Sequence, residues 1–160
     1  MSAIKEGQLA ADFTLPDGNG KMHNLSDYKG KWVLLYFYPK DDTPGCTKEA
    51  CGIRDDFFGF EKLNAAVLGV SADSPESHKK FALKYKLPFV LLSDEKKEII
   101  KKYGVLGEKK IMGRKFIGIK RTSFLINPEG KILKVYKNVD PKIHSKEVLN
   151  DLKEFSERNS

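Results

Sequence analysis

Lys31-Trp-Val-Leu-Leu-Tyr-Phe-Tyr38 runs directly into Pro39-Lys-Asp-Asp-Thr43-Pro-Gly-Cys46-Thr-Lys-Glu-Ala-Cys51, and this junction decides the fold. The first half is an apolar, aromatic run of strand length that stops at a proline, which reads as a buried strand. The second half, from residue 48 to residue 64, reads as a helix. Thr43 suits the N-cap and Pro44 the first helical position. Cys46 then falls at the third helical position. Backbone N–H groups there lack intrahelical acceptors, and the helix dipole is positive at that end. Both effects favour thiolate over thiol, and the Thr-Pro-Gly lead-in is expected to expose the sulfur.

Both cysteines of the chain lie in this stretch, five residues apart. On an intact helix that spacing is about 7.5 Å along the axis and about 140° around it. A disulfide needs Cα atoms roughly 4.4–6.8 Å apart with converging Cβ vectors. The pair therefore bonds only if the first turn unwinds. The spacing is not that of a Cys-x-x-Cys redox pair, and no further cysteines complete a zinc site. A cysteine is also a small apolar residue that packs well in a core. That reading stands beside the reactive one, more strongly for Cys51 within the helix than for Cys46 at its start.

Working outward, residues 9–23 suggest a hairpin turning at Asp17-Gly-Asn-Gly20. A second buried strand is expected at 65–72, a helix from Pro75 to about residue 86, a short strand at 89–92 and a short helix at 96–103. Residues 122–127 and 131–137 suggest a hairpin around Pro128-Glu-Gly130. A last helix at 145–157 has Val148, Leu149, Leu152 and Phe155 on one face. Strands alternating with helices and closing on a hairpin imply one α/β domain over residues 1–160 with a mixed sheet.

Pro39-x-x-x-Thr43-x-x-Cys46 resembles the active-site signature of the peroxiredoxins, and Cys51 five residues on is similar to the bacterioferritin-comigratory, or peroxiredoxin Q, branch. Ala11-Asp-Phe-Thr-Leu-Pro-Asp-Gly18, Gly69-Val-Ser-Ala-Asp-Ser74 and Arg121-Thr-Ser-Phe-Leu-Ile-Asn-Pro-Glu-Gly130 match the same branch in the same order. The resemblance implies a thioredoxin fold with an N-terminal β-hairpin extension. It implies a thiol peroxidase acting on hydrogen peroxide and organic hydroperoxides, with Cys46 peroxidatic and Cys51 resolving. The oxidised form would carry a Cys46–Cys51 disulfide, reset by thioredoxin or a similar dithiol protein. Arg121 would favour the thiolate and the charge on the leaving oxygen. The N–H groups of Gly45 and Cys46 would complete that oxyanion site. Pro39 would wall the pocket from water, and Glu49 would orient Arg121 and Thr43. A capping Thr43 would accept from the Cys46 N–H, whereas the resemblance turns its hydroxyl toward the sulfur. The Thr43 hydroxyl is therefore expected to face the sulfur. The resemblance also implies a monomer, and no residue pattern in the chain calls for a haem, flavin or metal cofactor.

Composition bounds the alternatives. The chain has 160 residues, 40% of them hydrophobic, enough for a real core. No run approaches the roughly 18 apolar residues needed to span a membrane, so no membrane partner is expected. The opening Met1-Ser-Ala-Ile-Lys-Glu6 carries no leader pattern, and two cysteines without one suggest the reducing cytoplasm. The formal charge is +7, and all of it resides in residues 101–121. That segment holds eight basic residues, one acid and four glycines, and reads as a flexible basic loop. It is either a solvated surface or an electrostatic docking surface. Only Tyr103 and Phe116 lie among its cations, which makes nucleic acid an unlikely partner. His78 and His144 read as surface residues in or beside helices, and Asp41 and Asp42 as turn residues rather than metal ligands. The rival readings are a thiol-disulfide exchange protein of the same fold and a basic binding module with incidental cysteines.

Overall fold

The computed structural model describes residues 4–158; Met1 to Ala3, part of the opening read above for a leader, lie outside them. Two short strands, β1 (Thr14–Pro16) and β2 (Met22–Asn24), form the N-terminal hairpin and lead into a 3-10 turn at Leu25–Tyr28. Then follow β3 (Trp32–Phe37), α1 (Pro44–Asp55), α2 (Phe57–Lys62), β4 (Ala65–Ser71), α3 (Pro75–Tyr85), β5 (Val90–Ser93) and α4 (Glu98–Lys102). The chain continues through β6 (Leu106–Ile111), β7 (Arg114–Ile119), β8 (Thr122–Ile126), β9 (Ile132–Tyr136) and α5 (His144–Arg158). The main sheet has the order β5-β4-β3-β8-β9. Strands β3, β4 and β5 are parallel, β8 runs antiparallel to β3, and β9 runs antiparallel to β8. This is the mixed α/β sheet expected.

Strand β3 is central, and all six of its residues are buried. Successive side chains of a strand point to opposite faces, so its apolar run divides into two cores. Trp32, Leu34 and Tyr36 pack with Ala50 and Ile53 of α1, Phe60 of α2, Phe81 of α3, and Val148 and Leu152 of α5. Val33, Leu35 and Phe37 pack on the other side with Phe13, Leu15, Ile100, Tyr103 and Phe124. A strand that must bury both faces reads as a continuous apolar run rather than an alternating one.

Two expectations are corrected. The helix expected through residue 64 breaks at Asp56, whose carboxylate accepts from Ser145 Oγ at 2.6 Å and Lys146 Nζ at 3.3 Å. The bond to α5 holds this residue between α1 and α2. The basic segment is not a loop. It forms β6 and β7, an antiparallel hairpin paired from Leu106 and Ile119 to Ile111 and Arg114. Most of its residues are exposed, so no apolar face marks it as sheet.

Gly69 sits in β4 between Tyr36 and Leu91 in register. A Cβ added there would lie 2.8 Å from Tyr36 Cζ and 2.9 Å from Leu91 Cδ2. Only glycine lets the Tyr36 ring lie across its neighbour. Gly69→Ala should therefore lose about 1–3 kcal/mol of stability to urea through overpacking. Gly59→Ala in α2, where the nearest group is the flexible Leu149 side chain at 3.2 Å, should lose less than about 1 kcal/mol, since alanine favours the helix. An equal or larger loss at Gly59 would contradict this packing.

Candidate active site

The C-terminal ends of β3, β4 and β5 open at one edge of the sheet, the usual place for a site in an open α/β fold. Strand β8 runs antiparallel to β3, with Thr122 opposite Phe37. Its N-terminal end therefore emerges at that same edge. This antiparallel pairing brings Arg121 to Cys46, 75 residues away in sequence.

Cys46 is the third residue of α1, as expected, but its side chain is not exposed. The residue is 2% accessible, and its thiol is free. The buried residues of α1 are Cys46, Glu49, Ala50 and Ile53. Their i, i+3, i+4, i+7 spacing is one face of a helix turned to the core. The turn fixes where Cys46 lies along the helix, and the apolar stripe fixes which face it occupies. Cys51 lies off this stripe, half-buried, with a free thiol.

Arg121 joins two members of the stripe. Its Nη2 donates to Cys46 Sγ at 3.4 Å and its Nη1 to Glu49 Oε1 at 2.8 Å. A cation hydrogen-bonded to sulfur stabilises negative charge there. Burial acts to lower the Arg121 pKa, but the charges and hydrogen bonds of Cys46 and Glu49 outweigh it and hold the guanidinium above its ordinary value. Glu49 has no solvent-exposed side-chain surface. Burial lifts its carboxyl to about 7, against the opposing pull of Arg121. Its Oε2 and the hydroxyl of Tyr36 are buried without a hydrogen-bond partner among the described residues. Gly45 has a second role that its N–H did not reveal. A Cβ there would stand 2.9 Å from Arg121 Nη2, so the guanidinium needs that space left open.

Thr43 is the N-cap residue, but its side chain makes no cap bond. Its hydroxyl donates to the Lys40 carbonyl at 2.9 Å. With the hydrogen committed there, the oxygen retains only acceptor capacity. Pro39 is half-buried just beyond β3. Cys46, Arg121, Glu49 and Gly45 thus meet directly, Thr43 and Pro39 stand in the loop leading to them, and Cys51 is held apart by the intact helix.

The loop has an anchor that sequence reasoning missed. Asp41 is buried and accepts from Tyr38 Oη at 2.6 Å and Ser77 Oγ at 2.8 Å. His78 Nδ1 lies 2.7 Å from the same carboxylate, and Nε2 donates to the Leu92 carbonyl at 2.8 Å. The Asp41 N–H donates to Asp73 at 2.8 Å. His78 and His144 are core residues, 1% and 0% exposed, not surface ones. Each is tolerated inside because both ring nitrogens find partners; for His144 these are Ser123 Oγ at 2.8 Å and Glu147 at 3.3 Å. Asp41 and His78 are 37 residues apart, and no local pattern links them.

Comparison with known proteins bears on this geometry. The model of the AhpC/TSA family matches residues 7–135. The chain is 51% identical over 150 residues to a protein named putative peroxiredoxin bcp from Coxiella burnetii, covering 94% of this chain and 99% of that one. It is 46% identical over 155 residues to peroxiredoxin Bcp of Bacillus subtilis, covering 97% and 99%. A crystal structure of a mutant PrxQ from Xylella fastidiosa superposes with a TM-score of 0.92 at 37% identity, covering 98% and 99%. Another neighbour is the bacterioferritin comigratory protein of Xanthomonas campestris, studied for its alkyl peroxide reduction activity. It superposes with a TM-score of 0.85 at 35% identity, covering 90% and 92%.

The buried Glu49 has a thermodynamic signature. Its carboxyl pKa rises from 4.5 to about 7 on folding, so between those values the folded chain holds a proton that the unfolded chain has released. That contribution to stability is complete below 4.5 and lost as pH rises through about 7. Glu49→Gln removes the titration while keeping the shape. The difference in urea midpoint, variant minus wild type, should therefore grow as pH rises from 5 to 8. A difference independent of pH would mean that Glu49 titrates alike in both states.

Proposed function

The chain belongs to the AhpC/TSA family, in the Bcp/PrxQ branch of the peroxiredoxins, and from this premise of a thiol peroxidase we propose how its residues divide the reaction. The observation that carries the reading is Arg121, hydrogen-bonded to both Cys46 Sγ and Glu49 on the buried face of α1. The Cys46 thiolate attacks one oxygen of hydrogen peroxide or an organic hydroperoxide. An S–O bond forms, the O–O bond breaks, and the departing oxygen takes the proton that the attacked oxygen gives up. The Thr43 oxygen, with acceptor capacity only, receives the peroxide O–H. Charge developing on the departing oxygen faces Arg121 and the first-turn N–H groups of Gly45 and Cys46. Glu49 holds Arg121 in place, and Pro39 screens the pocket from water.

The sulfenate left on Cys46 takes a proton from solvent, and the resulting sulfenic acid condenses with the Cys51 thiol, releasing water and forming the disulfide. A dithiol protein of the thioredoxin type supplies two electrons and two protons to restore both thiols. The cytoplasmic location and the monomeric state go with the same proposal. Among the described residues, no helix is long and apolar enough to cross a membrane.

The two cysteines should separate cleanly by mutation. Cys46→Ser should abolish peroxide consumption coupled to thioredoxin. Cys51→Ser should react once, leave a sulfenic acid that dimedone traps, and over-oxidise more readily to the sulfinic acid. Turnover by the Cys46→Ser protein, or undiminished turnover by the Cys51→Ser protein, would refute the assignment.

Resolution should also change shape. Helix α1 spans both cysteines and is regular from Pro44 to Asp55, so the disulfide must unwind its start. Amide exchange over residues 46–51 should accelerate in the oxidised protein, while β3 and β4 stay protected. Equal protection of this segment in both redox states, with the disulfide verified by mass, would exclude the unwinding.

A further inference from the structure

The hairpin β6–β7 carries a surface that the peroxide chemistry does not use. Ile111 is 61% exposed, Met112 98%, Phe116 42% and Ile117 65%. These are four of the nine large exposed hydrophobic residues among the described residues; Ile111 and Phe116 share one face of the ribbon, Met112 is at its tip, and Ile117, paired with Glu108, lies on the other face. Single exposed apolar residues are ordinary, whereas a group of them marks an interaction site. Lys109, Lys110, Arg114 and Lys115 surround them, and the only acid in the ribbon, Glu108, pairs with Lys115 at 3.6 Å.

The tip is unusual in its backbone. Met112 and Gly113 both take positive φ, +50° and +82°, as a two-residue hairpin turn requires. Asparagine or glycine meets that demand at the first position without strain. Methionine does not, and it gains no compensating burial here. An exposed methionine in a left-handed conformation points to a use outside the folded chain.

The ribbon also borders the site. β7 ends at Ile119, two residues before Arg121, and Lys120 N–H donates to the Val105 carbonyl at 2.7 Å, fixing the root. Directly paired residues share a face, which puts Lys109 and Phe116 together. A Cβ on Gly118 would meet both, each at 3.1 Å. Lys109 is near enough to feel the charges of Arg121 and Cys46; burial and Arg121 lower its pKa, and Cys46 opposes them.

We propose that the β6–β7 hairpin is the docking surface for the reductant, an acidic dithiol protein that covers Met112 at the tip and the face carrying Ile111 and Phe116, and sets its acidic residues against the surrounding lysines and arginine. The proposal rests on the reading above, that a Cys46–Cys51 disulfide awaits reduction. A thiolate of the partner attacks one sulfur of that disulfide. A mixed disulfide forms and the Cys46–Cys51 bond breaks. The partner's second thiol then displaces the mixed disulfide, leaving the partner oxidised and both cysteines reduced. Peroxide is small and neutral, so it needs no such surface. Tyr103 is buried, with 0% exposure, which leaves only Phe116 for stacking a nucleic acid. A bilayer would suit an apolar tip in a basic ring, but it delivers no electrons. The partner that every cycle must bring to this edge is the reductant.

The test separates the half-reactions. The variants are Lys110→Gln/Arg114→Gln/Lys115→Gln and, separately, Met112→Asn, which suits the positive φ. Stopped-flow rates are measured for oxidation by hydrogen peroxide, and for reduction of the isolated disulfide form by an acidic thioredoxin and by dithiothreitol. Both variants should oxidise, and be reduced by dithiothreitol, within about twofold of wild type. Reduction by thioredoxin should slow by about fivefold or more at low salt, and the triple variant should lose most of the salt dependence that wild type shows. Wild-type rates with thioredoxin in both variants overturn the docking surface. Failure of the wild-type protein to form the disulfide overturns the underlying reading instead. Two further results would assign the surface elsewhere and overturn the proposal, given unchanged thioredoxin rates. One is Met112-dependent sedimentation with phosphatidylserine vesicles. The other is a Met112-dependent dimer in analytical ultracentrifugation.

Discussion

The structure depends on holding one cation, Arg121, in a place that water reaches poorly. A guanidinium there is tolerable only if its charge and its donors are met. Glu49 meets one edge and the Cys46 sulfur another. Much else follows from that demand. Glu49 must face inward, so α1 must present residues 46, 49, 50 and 53 to the sheet. Gly45 must lack a side chain, because the guanidinium occupies its space. Strand β8 must run antiparallel to β3, because a parallel neighbour would carry Arg121 to the far edge. The sulfur in turn gains a permanent positive partner that solvent screens only weakly.

The opening proposed for the disulfide form would be confined by bonds on either side of it. Asp41 ties the loop before α1 to the first turn of α3 and to the ends of β4 and β5, through Ser77, His78, Asp73 and the Leu92 carbonyl. Asp42 beside it takes a positive φ of +58°; its carboxylate accepts from Lys84 at 2.7 Å and from Tyr85 Oη at 2.5 Å. At the other end, Asp56 is held by Ser145 and Lys146 of α5. Unwinding between residues 46 and 51 is therefore bounded on both sides by side-chain bonds that do not belong to the helix. Local opening is cheapest where a segment is held mainly by its own backbone.

Sequence and structure agree best where local rules act alone. The strand Trp32–Phe37, the Thr43-Pro44 helix start and the third-position cysteine all follow from residue type and spacing, and all are present. The inward stripe of α5 was legible for the same reason. What escaped was set by partners distant in sequence. His78 and His144 read as surface residues because nothing nearby announces Asp41, Leu92 or Ser123 as hydrogen-bond partners. The break at Asp56 comes from Ser145, 89 positions away. The β6–β7 ribbon escaped for another reason. Sheet is recognised from an apolar face, and a ribbon exposed on both faces offers none. Arg121 stood out among 29 basic residues only through the family motif.

Glu49 lies between the two cysteines. A bond from Cys46 to Cys51 would close a ring of backbone around it, and the unwinding that permits the bond would withdraw its carboxylate from Arg121. The same event removes the sulfur. Arg121, anchored in the strand frame, would lose both partners at once. The oxidised form proposed above would then be an interlock: while one turnover awaited its electrons, the arrangement proposed to activate peroxide would no longer exist. The unmatched guanidinium would also act as a restoring force. Once the thiols returned, refolding α1 would let the cation recover its partners, so reduction would reset geometry and charge together.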